Sequence, residues 1–367
     1  MLLRAHDALT AAAIPFWLSC GVLLGYYRNN DLLYHDLDLD IGLWRRDAQR
    51  PFVDILTAHG FYQDTKHVHT NPAVLAMRMA GVKLDLFFHQ RAGGHVTLPL
   101  YRRGRKLQYV WDTFDLIPTT FLGREFLIPR NPLHMLQTQY GSKWYIPVRE
   151  WNYSSSPKCI DQAPAPDYWD TYYGTDTAPM QPSAFAQWCY EAGHATGKLL
   201  ECGPGNGRDA RYFLAKGMTV VGIEQSRQGV QKLCEHLPDG IWRWDDFTHL
   251  HYPEEHGTYD TVYARFTLHS VTLGNEVRAL ACFHKLLKPG GKLLVEARTV
   301  RDPLYAHGLK LPDDARHTDH YRRFLRTPQF AKRVQAAGFT VLSNQVSADW
   351  ACTATENPQV VRMIACK

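Results

Sequence analysis

One interruption decides how this chain can fold. Between Tyr153 and Tyr168 it reads Ser-Ser-Ser-Pro-Lys-Cys-Ile-Asp-Gln-Ala-Pro-Ala-Pro-Asp. Three prolines and a serine run in so short a span suit neither a helix nor a central strand. A boundary is therefore expected there, dividing the 367 residues into domains over 1–155 and 166–367, each of ordinary domain size. Downstream, strand and helix patterns alternate: Lys198–Cys202, Asp209–Lys216, Thr219–Glu224, Arg227–His236, Thr261–Tyr263, Asn275–Leu287 and Lys292–Glu296. That rhythm predicts an α/β, Rossmann-like doubly wound sheet. Upstream, apolar strands at Trp17–Leu24, Leu37–Leu43 and Lys83–Phe88 mix with a helical stretch at Gln49–His59, which predicts an α+β domain.

Hydrophobic residues make up 45% and charged residues 21%, enough for full cores, which excludes a disordered or fibrous chain. The net charge of +5 comes without a long Lys/Arg run, so no nucleic-acid partner is expected. An acidic small molecule, a phosphorylated glycan or an anionic membrane surface fits better. The cluster Arg102, Arg103, Arg105 and Lys106 reads first as a solvated charge run. The eight cysteines form no CxxC pair, which points to a reducing cytoplasm rather than a zinc site or a disulfide framework. The apolar stretch Ala8–Tyr27 is interrupted by Pro15 and preceded by Asp7. A helix followed by a buried strand is expected there, not a signal peptide, and no other segment approaches a transmembrane length. The expected location is cytoplasmic, with at most peripheral contact at the inner face of the membrane.

Tyr34-His35-Asp36-Leu37-Asp38-Leu39-Asp40-Ile41-Gly42 places carboxylates at alternate positions. On a strand, Asp36, Asp38 and Asp40 would share a face while Leu37, Leu39 and Ile41 point into a core. Like charges so close require open solvent or a cation, and a hard cation such as Mg²⁺ takes carboxylate oxygens together with substrate phosphates. Alternation alone leaves both readings open. Asp85, in Val82-Lys83-Leu84-Asp85-Leu86-Phe87-Phe88, adds an acid inside an apolar strand, which is unfavourable unless paired or coordinated. Upstream, Gly21 and Gly25 in Cys20-Gly21-Val22-Leu23-Leu24-Gly25 frame an expected strand-to-helix turn where backbone N–H groups approach phosphate.

Together these residues resemble the LicD/fukutin-type family of nucleotidyltransferase fold. Its Gly-Thr-Leu-Leu-Gly stretch is matched with Val22 in place of Thr, and its Asp-rich strand with Leu37 in place of one Asp. Tyr140-Gly141-Ser142-Lys143-Trp144-Tyr145-Ile146-Pro147, with Trp151 and Tyr153, is similar to the ending of that family. The resemblance implies transfer of a phosphoalcohol, such as phosphocholine or a polyol phosphate, from a CDP-activated donor to a glycan hydroxyl. The expected acceptor is a bacterial-type surface glycan, a capsule or O-antigen. By the same resemblance Asp38, Asp40 and Asp85 hold Mg²⁺ or Mn²⁺, Asp36 is a further ligand or the base on the acceptor, and Arg28 binds a phosphate.

In the second half, Lys198-Leu199-Leu200-Glu201-Cys202-Gly203-Pro204-Gly205-Asn206-Gly207 is an apolar strand entering a glycine-rich turn. Gly203, Gly205 and Gly207 allow close approach of a ligand, a signal shared with dinucleotide sites. The acids narrow it. Glu201 sits at the end of the first strand, Glu224 ends the second where a ribose diol fits, and Asp245 and Asp246 follow the third, placed for an adenine amino group. With the Leu287-Lys288-Pro289-Gly290-Gly291 turn, these features resemble class I S-adenosylmethionine-dependent methyltransferases across about residues 166–367. The acceptor side is expected beyond the strand ends, near Arg265, His269 and Arg298, with His320, Arg322 and Arg323 in an insertion. His269 or His320 is a candidate base, with a buried, hydrogen-bonded histidine the alternative for each. The excess of Arg and His suggests an anionic acceptor; a solvated arginine-rich helix face is the alternative for at least one of these arginines.

The combined expectation is a bifunctional, glycan-modifying enzyme: a phosphotransferase whose transferred group or glycan terminus is then methylated. Two alternatives stand beside it. One is an NTP-dependent nucleotidyltransferase coupled to small-molecule methylation; the other is a degenerate front domain that binds glycan for the methyltransferase.

Overall fold

The computed structural model describes residues 1–34, 36–64, 73–102, 105–148, 168–174, 180–352 and 356–367. The break at 153–168 therefore lies outside the described residues up to Asp167, as do Trp151 and Tyr153 and the side chains of Arg102, Arg103, Arg105 and Lys106. The chain divides into two compact units, Met1–Ala165 and Pro166–Lys367.

In the first unit the helices are α1 (Leu2–Ala11), α2 (Cys20–Asn29), α3 (Phe52–Thr57) and α4 (Pro132–Tyr140). The strands are β1 (Trp17–Leu18), β2 (Asp38–Trp44), β3 (Tyr62–Gln63), β4 (Val74–Met79), β5 (Val82–Ala92), β6 (His95–Arg102), β7 (Arg105–Asp112), β8 (Leu116–Phe121) and β9 (Arg124–Pro129). They run β3-β4-β5-β2-β1-β9-β8 across the sheet, with β6 and β7 extending from β5. β2 and β5 are parallel, with Asp38 opposite Lys83 and Asp40 opposite Asp85. Ile41, Leu43, Leu84 and Leu86 alternate with these polar residues and are fully buried beside Trp17 and Leu23. The period of two thus gives each strand one core face and one charged face.

Three local expectations change. The strand expected over Trp17–Leu24 stops at Leu18, and Cys20–Asn29 is helical from an extended Ser19 onward. A continuous apolar run carries no period that separates a buried strand from a buried helix. Gly21 and Gly25 consequently lie inside α2 and do not frame a turn. Leu37, expected in the core, is 84% exposed, because β2 begins only at Asp38. The helix expected over Gln49–His59 forms over Phe52–Thr57, starting after Pro51, whose fixed φ suits a helix start.

The second unit contains α5 (Tyr168–Gly174), α6 (Ala184–Glu191), α7 (Arg208–Ala215), α8 (Arg227–His236), α9 (Leu273–Leu286) and α10 (Thr327–Ala336). Its strands are β10 (Lys198–Cys202), β11 (Thr219–Glu224), β12 (Ile241–Trp244), β13 (Tyr259–Arg265), β14 (Leu287–Arg298), β15 (Leu309–Lys310), β16 (Ala315–His317), β17 (Tyr321–Arg323), β18 (Thr340–Ser347) and β19 (Val360–Cys366). The main sheet is ordered β12-β11-β10-β13-β14-β19-β18. Its first five strands are parallel, and β19 is antiparallel to both neighbours. Leu199 and Val220 pack with Phe185 and Phe213 in one cluster, while Leu200 and Val221 pack with Phe283 and Phe330 in another. Successive residues of one strand therefore feed opposite faces, as a doubly wound sheet requires. Arg322 and Arg323 lie on β17 in the small sheet β15-β16-β17, not on a helix. The chain order reverses at β10, and such a switch point opens a ligand crevice beyond the strand ends.

Candidate active sites

In the first unit, oxygens of Asp38, Asp40 and Asp85 all lie within 4.8 Å of one another. The parallel pairing puts them there: Asp38 and Asp40 are two apart on β2, and Asp85 faces Asp40 from β5. Asp40 Oδ2 also accepts from the N–H of Gly21 at 2.9 Å, placing a carboxylate at the positive end of α2. The carboxyl of Asp40 is held well above its usual range, first by burial and then by the charges of Asp38 and Asp85, while the Gly21 hydrogen bond opposes. A Cβ at Gly21 would stand 2.4 Å from Asp36 Oδ2 and 3.2 Å from Asp40 Oδ2. Glycine is required there by this close approach, and its N–H is committed to Asp40. Gly25 packs against the turn at residues 31–33, where a Cβ would stand 2.6 Å from the Asp31 carbonyl oxygen.

Asp36 is exposed just before the strand. Its charge acts on Arg28, whose pKa is lowered by burial against the opposing influence of Tyr140 and Asp36. A cavity of about 240 Å³ opens beside Asp36 and Asp38, walled by Val22, Leu33, Leu39 and Val82. Lys83 is the residue sequence reasoning passed over. Its Nζ lies 3.1 Å from Asp38 Oδ2 and 2.7 Å from Asp85 Oδ2. Its position two before Asp85 on an alternating strand was the available signal.

In the second unit Glu201 is buried, and its Oε2 has no hydrogen-bond partner among the described residues. Burial and then Asp209 push its carboxyl well above the usual range, opposed by Arg265. Glu224 accepts from the N–H of Gly205 at 2.9 Å and of Ser226 at 2.8 Å, so it ties the glycine turn to the second strand. Gly203, Gly205 and Gly207 all have positive φ, and Gly207 opens α7. Asp245 accepts from the Tyr252 hydroxyl at 2.5 Å, and Asp246 caps the N–H of Thr248 at 2.9 Å.

Helix α5 supplies a group the sequence reading did not single out. Asp170 accepts from the Ser226 hydroxyl at 2.8 Å, Trp169 stacks on Tyr173, and a Cβ at Gly205 would stand 2.3 Å from the Tyr173 hydroxyl. Tyr168 donates to Asp319 at 2.7 Å and packs on the His320 ring at 4.3 Å. The aromatic run Tyr168-Trp169-Asp170-Thr171-Tyr172-Tyr173 was visible, but nothing local said which surface it covers.

The arginines expected at the acceptor side are each bound to carboxylates of their own unit. Arg265 donates to Glu296 at 3.0 Å, whose other oxygen receives Arg362 at 2.7 Å. Arg298 pairs with Asp302 at 3.1 Å and with Glu356. Arg322 pairs with Asp319, and Arg323 with the fully buried Glu276, which also receives Arg333. His269 Nδ1 accepts the Arg298 backbone N–H at 3.2 Å, so the neutral ring carries its proton on Nε2 and presents a donor. Burial, then Arg298 and Arg322, hold His269 well below its usual pKa. His320 Nδ1 lies 3.2 Å from Asp319 Oδ2, and burial lowers its pKa against that carboxylate.

The seven described cysteines are all free. Among the described residues no helix is long and apolar enough to cross a membrane.

Comparison with known proteins finds a match in each half of the chain. The family LicD/FKTN/FKRP, nucleotidyltransferase domain, matches residues 13–131, and a methyltransferase domain family matches residues 169–344. Ribitol-5-phosphate transferase FKTN of Homo sapiens is 30% identical over 167 residues, covering 43% of this chain and 35% of that protein. An uncharacterized methyltransferase of Bacillus cytotoxicus is 35% identical over 99 residues, covering 27% of this chain and 45% of that protein. The chain thus spans less than half the length of either relative. Among solved structures, the 1,6-didemethyltoxoflavin-N1-methyltransferase of Burkholderia thailandensis covers 53% of this chain and 80% of its own, at 22% identity and a TM-score of 0.39. The chain thus joins a region that matches the LicD/FKTN/FKRP nucleotidyltransferase domain to a region that matches a methyltransferase domain.

Proposed function

We propose that the first domain transfers a polyol phosphate from a CDP-activated donor to a glycan hydroxyl with a divalent cation, and that the second methylates the transferred group or the glycan terminus. The observation that carries the first step is the convergence of Asp38, Asp40 and Asp85 within 4.8 Å. Three hard carboxylate oxygens on two rigid strands fit Mg²⁺ or Mn²⁺, which bind through few carboxylates and complete their shell with phosphate and water. When bound, such a cation neutralises charge on the departing CMP. Asp38, Asp40 and Asp85 hold it; Arg28 receives a phosphate oxygen, and exposed Asp36 takes the proton from the acceptor hydroxyl. The ribitol-5-phosphate named for the FKTN relative favours a polyol over choline as the transferred alcohol.

In the second domain the buried Glu201 Oε2, without a hydrogen-bond partner among the described residues, fits the ammonium of S-adenosylmethionine, and Glu224, which ties the glycine turn to the end of β11 through Gly205 and Ser226, is the carboxylate placed for the ribose hydroxyls. His320, held beside Asp319, is the base that takes a proton from the acceptor, and His269 donates to it through Nε2. The arginines nearby are committed to internal ion pairs, so the proposal requires no anionic acceptor group. Fusion raises the effective concentration of one product at the other site.

Release of CMP from CDP-ribitol, with Mg²⁺ and a panel of glycans, tests the first step. Wild type should release CMP, and Asp38→Ala should not. Pyrophosphate release from an NTP instead would select a nucleotidyltransferase. Loss of S-adenosylhomocysteine binding by about ten- to a hundredfold in Glu224→Ala, with CMP release intact, tests the second.

A further inference from the structure

The charged face shared by β2 and β5 is a two-by-two array. Asp38 stands opposite Lys83, and Asp40 opposite Asp85. Three corners are carboxylates; the fourth is an ammonium that reaches across to β2, 3.1 Å from Asp38 Oδ2, and along its own strand, 2.7 Å from Asp85 Oδ2. Asp40 takes no part in this bridge and is bound instead by Gly21. Lys83 is half-buried, and Asp85 is 5% exposed, so the contacts are only weakly screened by water.

A cation entering this array meets a competitor already bound to two of its three ligands. Two positive charges on the same pair of carboxylates repel, and the lysine has to leave. A flexible four-carbon stem lets it do so, but leaving is favourable only where another anion receives it. The diphosphate of a nucleoside diphosphate donor is such an anion.

We propose that Lys83 couples the cation to the donor: its ammonium rests on Asp38 and Asp85 in the donor-free domain and moves to the donor's diphosphate as the cation takes the carboxylates. The inference rests on the reading of this cluster as the metal and donor site. No bond is made or broken; one ammonium exchanges carboxylate partners for phosphate partners. Metal alone is then held weakly, metal and donor strengthen each other, and by linkage each does so by the same factor. An arrangement of this kind keeps the site from trapping a cation without substrate.

Titration of Mn²⁺ into the full chain, followed by the electron paramagnetic resonance of the free ion, with and without CDP, reads this directly. In wild type, CDP should tighten Mn²⁺ by about 5- to 150-fold, the ordinary range of coupling between sites. In Lys83→Met, Mn²⁺ should bind more tightly than in wild type when CDP is absent, and the gain from CDP should shrink to what direct phosphate coordination supplies. Lys83→Arg, which keeps the charge, should restore coupling. Equal Mn²⁺ affinity in wild type and Lys83→Met without CDP, or an unchanged gain from CDP, overturns the role of Lys83 while leaving the metal site standing. Absence of Mn²⁺ binding to wild type even with CDP overturns the metal site itself, and this inference with it.

Discussion

Asp40 and Asp85 face each other in register on parallel strands, both buried, with Asp38 beside them. Removing one of these charges should have opposite effects on stability and activity. In chelator-treated protein, Asp40→Asn relieves repulsion and the burial of charge that holds this carboxyl high, so the melting temperature should rise. With metal and CDP-ribitol, CMP release should fall by about two orders of magnitude or more, the several kcal/mol that a bound cation supplies. Calorimetric melting and a CMP assay on one preparation check both signs.

Glu201 should titrate on binding the methyl donor. Its folded pKa is raised, so it stays protonated above the ordinary value of 4.5. The sign follows: stability is full below that value and declines as pH rises toward the folded pKa, because the native state holds the extra proton. A ligand ammonium favours the carboxylate, so S-adenosylhomocysteine binding at a pH between the ordinary and the raised pKa should release a proton. Titration calorimetry in buffers of different ionisation enthalpy should show buffer-dependent heats for wild type and buffer-independent heats for Glu201→Gln.

The Gly205 backbone, at φ +59°, has the Tyr173 phenol directly above it. Gly205→Ala should therefore destabilise the second unit through both left-handed strain and collision. The strain alone is about 1–2 kcal/mol. In a Tyr173→Ala background only the strain should remain, so chemical denaturation of the four proteins should show a smaller Gly205→Ala penalty in the truncated background. Equal penalties would place the phenol elsewhere.

Legibility followed physical range. The alternation on β2 and β5, and the acids ending β10 and β11, were readable because each is set by local period and turn chemistry. Pairing was not: nothing in Asp38-Leu39-Asp40 says that Lys83 would stand opposite Asp38. Gly21 and Gly25 were read as a turn because an unbroken apolar run has no period, yet both lie within α2. The ion pairs of the arginines were hidden for a related reason. Their number suggested an anionic acceptor, while Glu276, Glu296, Asp302 and Asp319, which bind them, come from distant or unremarked positions.

Glu276 provides the check on that reading. It is fully buried and bridges Arg323 and Arg333. Glu276→Gln leaves two guanidinium groups without a counter-charge and should lower stability by about 3–5 kcal/mol, the usual effect of breaking a buried pair. Arg322→Ala, which loses the half-exposed Asp319 and a hydrogen bond to Thr318, should lose about 1 kcal/mol. Urea unfolding of the second unit's signal distinguishes the two.

Intact mass analysis of a glycan acceptor, incubated with the full chain, CDP-ribitol, Mg²⁺ and S-adenosylmethionine, bears most directly on the joined activities. The acceptor should gain the mass of one ribitol phosphate and then of one methyl group, with the methyl absent when CDP-ribitol is omitted. Asp38→Ala should leave the acceptor unchanged. Methylation that proceeds equally without the CDP donor, or a phosphate gain that persists in Asp38→Ala, would contradict the coupled account.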